Sequence, residues 1–304
     1  MHLEDKVAVV TGSGRGLGLA YAKELARHGA AVIVNDVDQS TADAAVAEIV
    51  AAGGRAAALA GAVGSTETAE RLVAAAVEQF GRLDVMVTNA GILRDKVLWK
   101  MTDEDFDAVI NVHMRGTFTC VRAAVQRFRE QGDGGRIIAI GSPAGQRGNF
   151  GQTNYSGAKA GIVGMVRTWA MELERAGITA NAVCPVAVTA MTETVPLFAP
   201  HIEEMKRTGT LPDVMRREVG MGTPEDAAGL IAFLASDAAA GITGQAFSVG
   251  GDRLALWSHP KLTATAYHRG GFGADEVAER WPADFADSVE SVGEEFPAEL
   301  TAKA

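Results

Sequence analysis

A three-layer α/β fold on a doubly wound parallel sheet is what this 304-residue sequence predicts, and three observations predict it. Short apolar, β-branched runs alternate with helical periodicities along most of the chain. A glycine cluster sits where the first such run meets the first helix. Polar or turn-forming residues close the runs at their carboxyl ends, where ligands sit in sheets of this kind.

Residues 6–11 (KVAVVT) read as a buried parallel strand. Gly12-Ser13-Gly14-Arg15-Gly16-Leu17-Gly18 follows, then a helical pattern that stops at Gly29. A second strand, 31–35, ends at Asp36. Glycines at such a strand–helix junction let backbone N–H groups approach a pyrophosphate, and the helix N-terminus adds a favourable dipole. This is a Rossmann-type unit for a dinucleotide. Asp36 lies at about the ~20-residue offset at which an acid hydrogen-bonds the adenosine ribose. A carboxylate there also repels a 2′-phosphate, so NAD is expected over NADP, with Arg15 acting in the opposite sense.

The alternation continues with a helix over 40–52, a strand over 55–59 and a helix over 65–80, capped by Ser65 and stopped by Gly81. A strand over 83–88 leads into Asn89-Ala90-Gly91. One long helix is expected over 102–130, with Thr102 and Asp105 as its capping box. The strand 136–140 ends at Gly141-Ser142, a helix carries Tyr155 and Lys159 to about 175, and the strand 178–184 closes at Pro185. Over 190–222 the regular pattern lapses among Met191, Met205, Met215 and Met221, which suits either core filling or a mobile apolar lid over the substrate. A helix starts at Thr223-Pro224, and a last strand spans 246–249. One domain over 1–254 is therefore expected, followed by an extension over 255–304 that is laid on the surface and ends in a solvated acidic stretch.

Composition limits the partners. The formal net charge is −10, which argues against a general nucleic-acid or anionic-membrane surface. No apolar run is long enough to span a bilayer, and no signal peptide precedes the first strand, so a cytoplasmic protein is expected. The two cysteines, Cys120 and Cys184, lie inside apolar runs and read as buried free thiols. No metal site is expected.

Tyr155 and Lys159, four residues apart, share one face of a helix. An ammonium about 4 Å from a phenol favours the phenolate by roughly 4 kcal/mol at an effective dielectric of about 20. That would bring a tyrosine toward neutrality and fit it for proton exchange with an alcohol or ketone.

With these motifs in order, the chain resembles the short-chain dehydrogenase/reductase family over about residues 3–254. Thr11-Gly12, Gly16 and Gly18 match that family's cofactor loop, Asn89-Ala90-Gly91 its mid-sheet motif, and Asn111, Ser142, Tyr155 and Lys159 its catalytic tetrad. The resemblance implies Tyr155 as general acid/base, Ser142 as donor to the substrate oxygen, and Lys159 as tuner of Tyr155 and ligand of the nicotinamide ribose. It implies that Asn111 holds a water relaying protons from Lys159. Arg15, Leu17, Asp36, Ala62, Val63, Ala90, Pro185, Val188 and Thr189 are implied cofactor neighbours. The chain departs from the pattern with Val186 where glycine often follows the proline, a loop one residue short before Thr189, and Ala62 where an aspartate often stands.

Within the family, residues 91–95 (GILRD) and 148–155 (GNFGQTNY), and the step from Pro185 to Thr192, are similar to the 3-hydroxyacyl-CoA dehydrogenase domain of peroxisomal multifunctional enzymes of type 2. The implied reaction is oxidation of a 3-hydroxyacyl-CoA to the 3-oxoacyl-CoA by NAD. Arg94, Lys96 and Arg147 stand near enough in sequence to meet CoA phosphates. A dehydrogenase of sterols or other alcohols, a 3-oxoacyl-carrier-protein reductase and a non-catalytic dinucleotide sensor are the competing readings. The resemblance implies a homodimer or homotetramer in which the helices over 102–130 and 153–175, whose small residues let backbones approach closely, pair across a two-fold axis.

Overall fold

The computed structural model describes residues 2–189 and 198–301. The first half alternates strictly: β1 (Val7–Val10), α1 (Gly16–Arg27), β2 (Ala31–Asp36), α2 (Gln39–Ala51), β3 (Arg55–Ala60), α3 (Thr66–Phe80) and β4 (Val85–Thr88). Then come α4 (Asp103–Ile110), α5 (Gly116–Gln131), β5 (Gly135–Ile140), α6 (Pro143–Arg147), α7 (Thr153–Leu173) and β6 (Ile178–Pro185). The chain ends with α8 (Ala199–Thr208), α9 (Pro224–Ala235), β7 (Ala246–Gly250), β8 (Arg253–Trp257), α10 (Ala274–Asp284) and α11 (Ala298–Thr301).

The strands form one sheet in the order β3-β2-β1-β4-β5-β6-β7-β8, parallel except for β8, which is antiparallel to β7. The period of two in the strands feeds two separate cores. Ala8 and Val10 of β1 point into a core with Leu25, Ile49, Ile231 and Leu234, from α1, α2 and α9. Val7 and Val9 point into the other, with Leu72, Phe128, Ile162 and Val166, from α3, α5 and α7. β1 and β2 are buried along their whole length and read as apolar runs up to Asn35 rather than as alternating ones. A third, smaller core joins Val188, Ile202, Leu211, Met215 and Met221 beyond the sheet's carboxyl edge.

Capping chemistry sets several boundaries as expected. Ser65 accepts from Thr68 N–H at 3.0 Å at the start of α3, and Gly81 closes it in the left-handed region. Thr102 and Asp105 form the expected capping box at α4.

Three local expectations are corrected. The single helix over 102–130 contains a π-helical segment, Asn111–Arg115, between α4 and α5; such insertions re-aim side chains and gather at functional sites. β7 is not the last strand: Gly250 (φ +157°) and Gly251 (φ +52°) turn the chain back into β8 at the sheet edge. Within 190–222 the chain is not irregular throughout. It forms α8, capped by Gly209 at φ +82°, and a π-helical turn at Met215–Val219. Met215 and Met221 are fully buried, Met205 is partly buried, and Met191 lies outside the described residues. Cys120 and Cys184 are free and buried.

Candidate active site

The strand order reverses between β1 and β4, which opens a crevice at their carboxyl ends, the position where such sheets bind ligands. A cleft of about 640 Å³ occupies it. Its dinucleotide end is built by the loop after β1. Gly12 has φ +61° and passes so close to Ala90 that a Cβ would stand 2.7 Å from its Cα. A Cβ on Gly18 would collide with the Gly12 carbonyl oxygen and stand 2.5 Å from Asn89 Nδ2. Only glycine leaves this loop room to present backbone N–H groups to a phosphate. Asn89 fastens the crevice: its Nδ2 donates to Thr11 O and Gly12 O, both at 3.0 Å, while Thr11 Oγ1 accepts from the N–H of Asn89 and Ala90.

Asp36 closes β2 at 7% exposure, its Oδ1 accepting from Asp38 N–H at 3.3 Å. The second oxygen lies beside Gly14, 2.6 Å from where a Cβ would be. Arg15 is exposed at the start of α1. Leu17, Ala62, Val63 and Gly91 line the same cleft, as do Gly16, Pro185, Val188 and Thr189 at its two ends. Every cofactor neighbour expected from sequence thus borders one cavity. The residues fit a dinucleotide: a glycine cradle that a Cβ would fill, a helix N-terminus behind it, and a carboxylate at the ribose distance along β2.

At the other end, Ser142, Tyr155 and Lys159 meet. Ser142 is the N-cap of α6, its Oγ accepting from Ala144 N–H at 3.2 Å. It also hydrogen-bonds the Tyr155 hydroxyl. Tyr155 and Lys159 share a face of α7, with Lys159 Nζ 5.5 Å from the centre of the Tyr155 ring. Lys159 is 3% exposed and donates to Ile140 O at 2.6 Å. Burial lowers its pKa from 10.5 to about 8, with the neighbouring Cys184 acting in the opposite direction.

The expected depression of Tyr155 is not what this fold produces by itself. Burial raises the phenol's pKa above its ordinary value, and the bond from Ser142 offsets this only in part. Desolvation is the largest influence on the phenol, and Lys159 directs its Nζ to the Ile140 carbonyl.

Asn111 stands apart from these three residues. It opens the π-helical segment, its side chain is exposed, and it faces Gly64 in an adjoining groove lined by residues 61–65, Arg71 and Arg115. The residue that the segment does turn inward is His113, which the sequence reading missed. Its ring meets Tyr155 edge-on at 5.1 Å between centres. Its Nε2 lies 3.0 Å from Ile92 N and 2.8 Å from Ile92 O. Burial, reinforced by the Lys159 charge, lowers its pKa to about 3, so the imidazole is neutral. The turn brings the ring against Gly91, where a Cβ would strike it.

None of the three cations expected near CoA phosphates lines the cleft. Arg94 is exposed and bonds Leu93 O, Lys96 pairs with Asp105 at 2.6 Å, and Arg147 is committed to the C-terminal segment. Among the described residues no helix is long and apolar enough to cross a membrane.

A glycine-cradled crevice joined to a serine–tyrosine–lysine cluster is the apparatus of a nicotinamide-dependent oxidoreductase. The family model described as Enoyl-(Acyl carrier protein) reductase matches residues 12–251, and the chain belongs to the short-chain dehydrogenase/reductase family, whose members typically use a nicotinamide dinucleotide. It is 43% identical over 273 residues to hydroxyacyl-CoA dehydrogenase ChsB1 of Mycobacterium tuberculosis, covering 86% of this chain and 82% of that one. It is 44% identical over 252 residues to a 3-oxoacyl-[acyl-carrier-protein] reductase of Synechocystis, covering 82% and 97%. The expected likeness to peroxisomal multifunctional enzyme type 2 is borne out in the mouse protein, at 45% identity over 64% of this chain and 27% of that one. A crystal structure of a short chain dehydrogenase from Mycobacterium avium superimposes with a TM-score of 0.82 at 34% identity, over 98% of this chain and all of that one. The chain is therefore a dehydrogenase/reductase acting on hydroxyl and keto groups.

Proposed function

We propose that the protein is an NAD-dependent dehydrogenase that interconverts a 3-hydroxyacyl-CoA and its 3-oxoacyl-CoA, with a catalytic domain over 1–254. The observation that carries the proposal is the convergence of Ser142, Tyr155 and Lys159 at one end of a cleft whose other end holds Asp36.

A bound nicotinamide supplies the hydride acceptor for oxidation and the donor for reduction. The chain's own groups handle the oxygen and the proton. Ser142 Oγ–H donates to the substrate oxygen and holds it against the Tyr155 hydroxyl. Tyr155 takes the alcohol proton in oxidation and returns one in reduction. A phenol held above its ordinary pKa favours the acid role at neutral pH, so oxidation should accelerate as pH rises. Lys159, partly deprotonated near pH 8, can pass protons as well as supply charge. His113 backs the tyrosine ring and, being neutral, adds no competing charge.

NAD is preferred over NADP because Asp36 accepts hydrogen bonds from the ribose hydroxyls and repels a phosphate. The acyl-CoA reading is supported by the name of the Mycobacterium tuberculosis relative and by the apolar wall of Val188, Phe198, Val219 and Met221 on the substrate side. Reduction of a 3-oxoacyl group on a carrier protein is the second reading, favoured by the name of the Synechocystis relative.

The test compares kcat/KM for a 3-hydroxyacyl-CoA, the same acid on a pantetheine carrier, and a free steroid alcohol, with NAD and NADP in parallel. The full thioester should lead by more than tenfold, at least about 1.4 kcal/mol of transition-state binding. Equal rates on the free steroid would refute the acyl-CoA assignment.

A further inference from the structure

The acidic C-terminal stretch, expected to be solvated, returns to the mouth of the cleft. Gly293, at φ +87°, turns the chain there. Gly293 N–H donates to Arg147 O at 2.7 Å, and Arg147 Nε–H donates to Gly293 O at 2.9 Å. The same guanidinium pairs with Glu295 at 3.4 Å. Beyond this clasp, Phe296 meets Phe198 edge-on at 5.6 Å between ring centres. Leu300 is 6% exposed and packs into the small core with Ile202, Met215 and Met221. Residues 293–300 are thus a strap fixed at both ends, by polar bonds at Arg147 and by apolar burial at Leu300.

Between the two anchors stands Glu294, which lines the same cleft as Tyr155 and Ser142. Glu294 is itself exposed to solvent. Burial raises the carboxyl pKa, and the charges of Arg253 and Arg147 oppose that rise. Val188, Phe198, Val219 and Met221 line the same cleft and pack in the small core that holds Leu300. A substrate filling the cleft would strip the remaining water from this carboxylate. That is costly unless the substrate returns a hydrogen bond, and more so if the substrate brings a second negative charge.

We infer that Glu294, delivered by the strap at residues 293–300, is a specificity-determining residue of the cleft: it accepts a hydrogen bond from a neutral donor, a hydroxyl or an amide N–H, on the body of the substrate, and it excludes an anionic group there. The inference rests on the reading of the cleft as a site for a secondary alcohol. It does not require that alcohol to be a CoA thioester. It also leaves Arg147 a structural task, holding the strap, in place of contact with a phosphate.

The experiment uses the full chain and two matched substrate series of graded length, one of 3-hydroxyacyl-CoA thioesters and one of free secondary alcohols. Each length is supplied with a distal hydroxyl or a distal carboxylate. In the wild type the hydroxyl member should exceed the carboxylate member in kcat/KM by at least tenfold at the length that reaches Glu294. Glu294→Gln keeps the shape and an acceptor oxygen but loses the charge. It should improve the carboxylate member at least tenfold and lower the hydroxyl-to-carboxylate ratio at least tenfold. Glu294→Ala should slow the hydroxyl member fivefold or more, with cofactor affinity unchanged in both variants. If the thioesters are idle and the free alcohols show this Glu294-dependent ratio, the acyl-CoA assignment falls and the role of Glu294 stands. If the thioesters are turned over with the same end-group ratio in wild type and Glu294→Gln at every length, the role of Glu294 is overturned and the acyl-CoA assignment survives.

Discussion

Replacing Lys159 with methionine should make the protein more stable at pH 7 while abolishing turnover. Lys159 is 3% exposed, and burial lowers its pKa from 10.5 to about 8. The folded chain therefore holds this proton less tightly than the unfolded chain. Between about pH 8 and 10.5 the unfolded state keeps a proton that the folded state has released, so stability rises with pH across that window. Below pH 8 the folded state carries the whole cost of a buried ammonium. The drop from 10.5 to about 8, at roughly 1.4 kcal/mol per pH unit, makes that cost about 3 kcal/mol. Methionine has a similar unbranched shape and no charge, but it forfeits the 2.6 Å bond to Ile140 O, worth about 1.5 kcal/mol or somewhat more as a charged bond. The variant should gain a net of roughly 1–2 kcal/mol at pH 7. Urea unfolding of both proteins from pH 6 to 10 reads this directly. The gap should narrow above pH 8 as the wild type sheds its charge. Tyr155, whose pKa burial raises, shifts stability only above about pH 10 and is common to both proteins. A wild type that is more stable at pH 7, or a gap that ignores pH, would refute the reasoning.

Three further outcomes follow from the site. Asp36→Ala should weaken NAD by about 10- to 100-fold through loss of a charge-assisted ribose bond of about 1.5–3 kcal/mol, and strengthen NADP; dissociation constants by nicotinamide fluorescence check it, and a wild-type preference for NADP would show that Arg15 dominates. His113→Phe keeps an aromatic edge against Tyr155 but strips the partner from Ile92, so kcat should fall about tenfold with cofactor affinity nearly unchanged, as seen by steady-state kinetics and cofactor titration. Light scattering at micromolar concentration should give a dimer or tetramer, since α5 and α7 leave Phe118 and Met171 exposed on their outer faces.

The cofactor end was legible in the sequence because it is written in backbone constraints. Gly12 and Gly18 can be nothing else where a Cβ would strike Ala90 or the Gly12 carbonyl, and such positions leave a mark in any sequence. The central strands, such as β1, were legible because both faces are buried and each reads as an apolar run. The π-helical segment at Asn111 was not legible, since one inserted residue in a long helix leaves i, i+3 and i+4 pairs on either side intact. Its consequence, His113 turned inward and Asn111 left exposed, was hidden with it. β8 was missed because Gly250-Gly251 reads equally as the end of a fold or as a tight turn within it. The strap was missed because its two apolar anchors, Phe296 and Leu300, are spaced among acids that dominate the composition.

The central claim, that Tyr155 carries the proton in the oxidation of a secondary alcohol, is tested most directly by Tyr155→Phe. The ring and its contact with His113 are retained and only the hydroxyl is lost. Formation of reduced nicotinamide should be measured from pH 6 to 10 with the preferred 3-hydroxyacyl substrate, alongside NAD binding. The account predicts that the wild-type rate climbs with pH as the phenol's proton becomes easier to lose. In the variant that dependence should vanish and kcat should fall by about 10²- to 10⁴-fold, with NAD affinity changed less than a few-fold. A variant that retains a tenth or more of the wild-type rate, with the same pH profile, would contradict it.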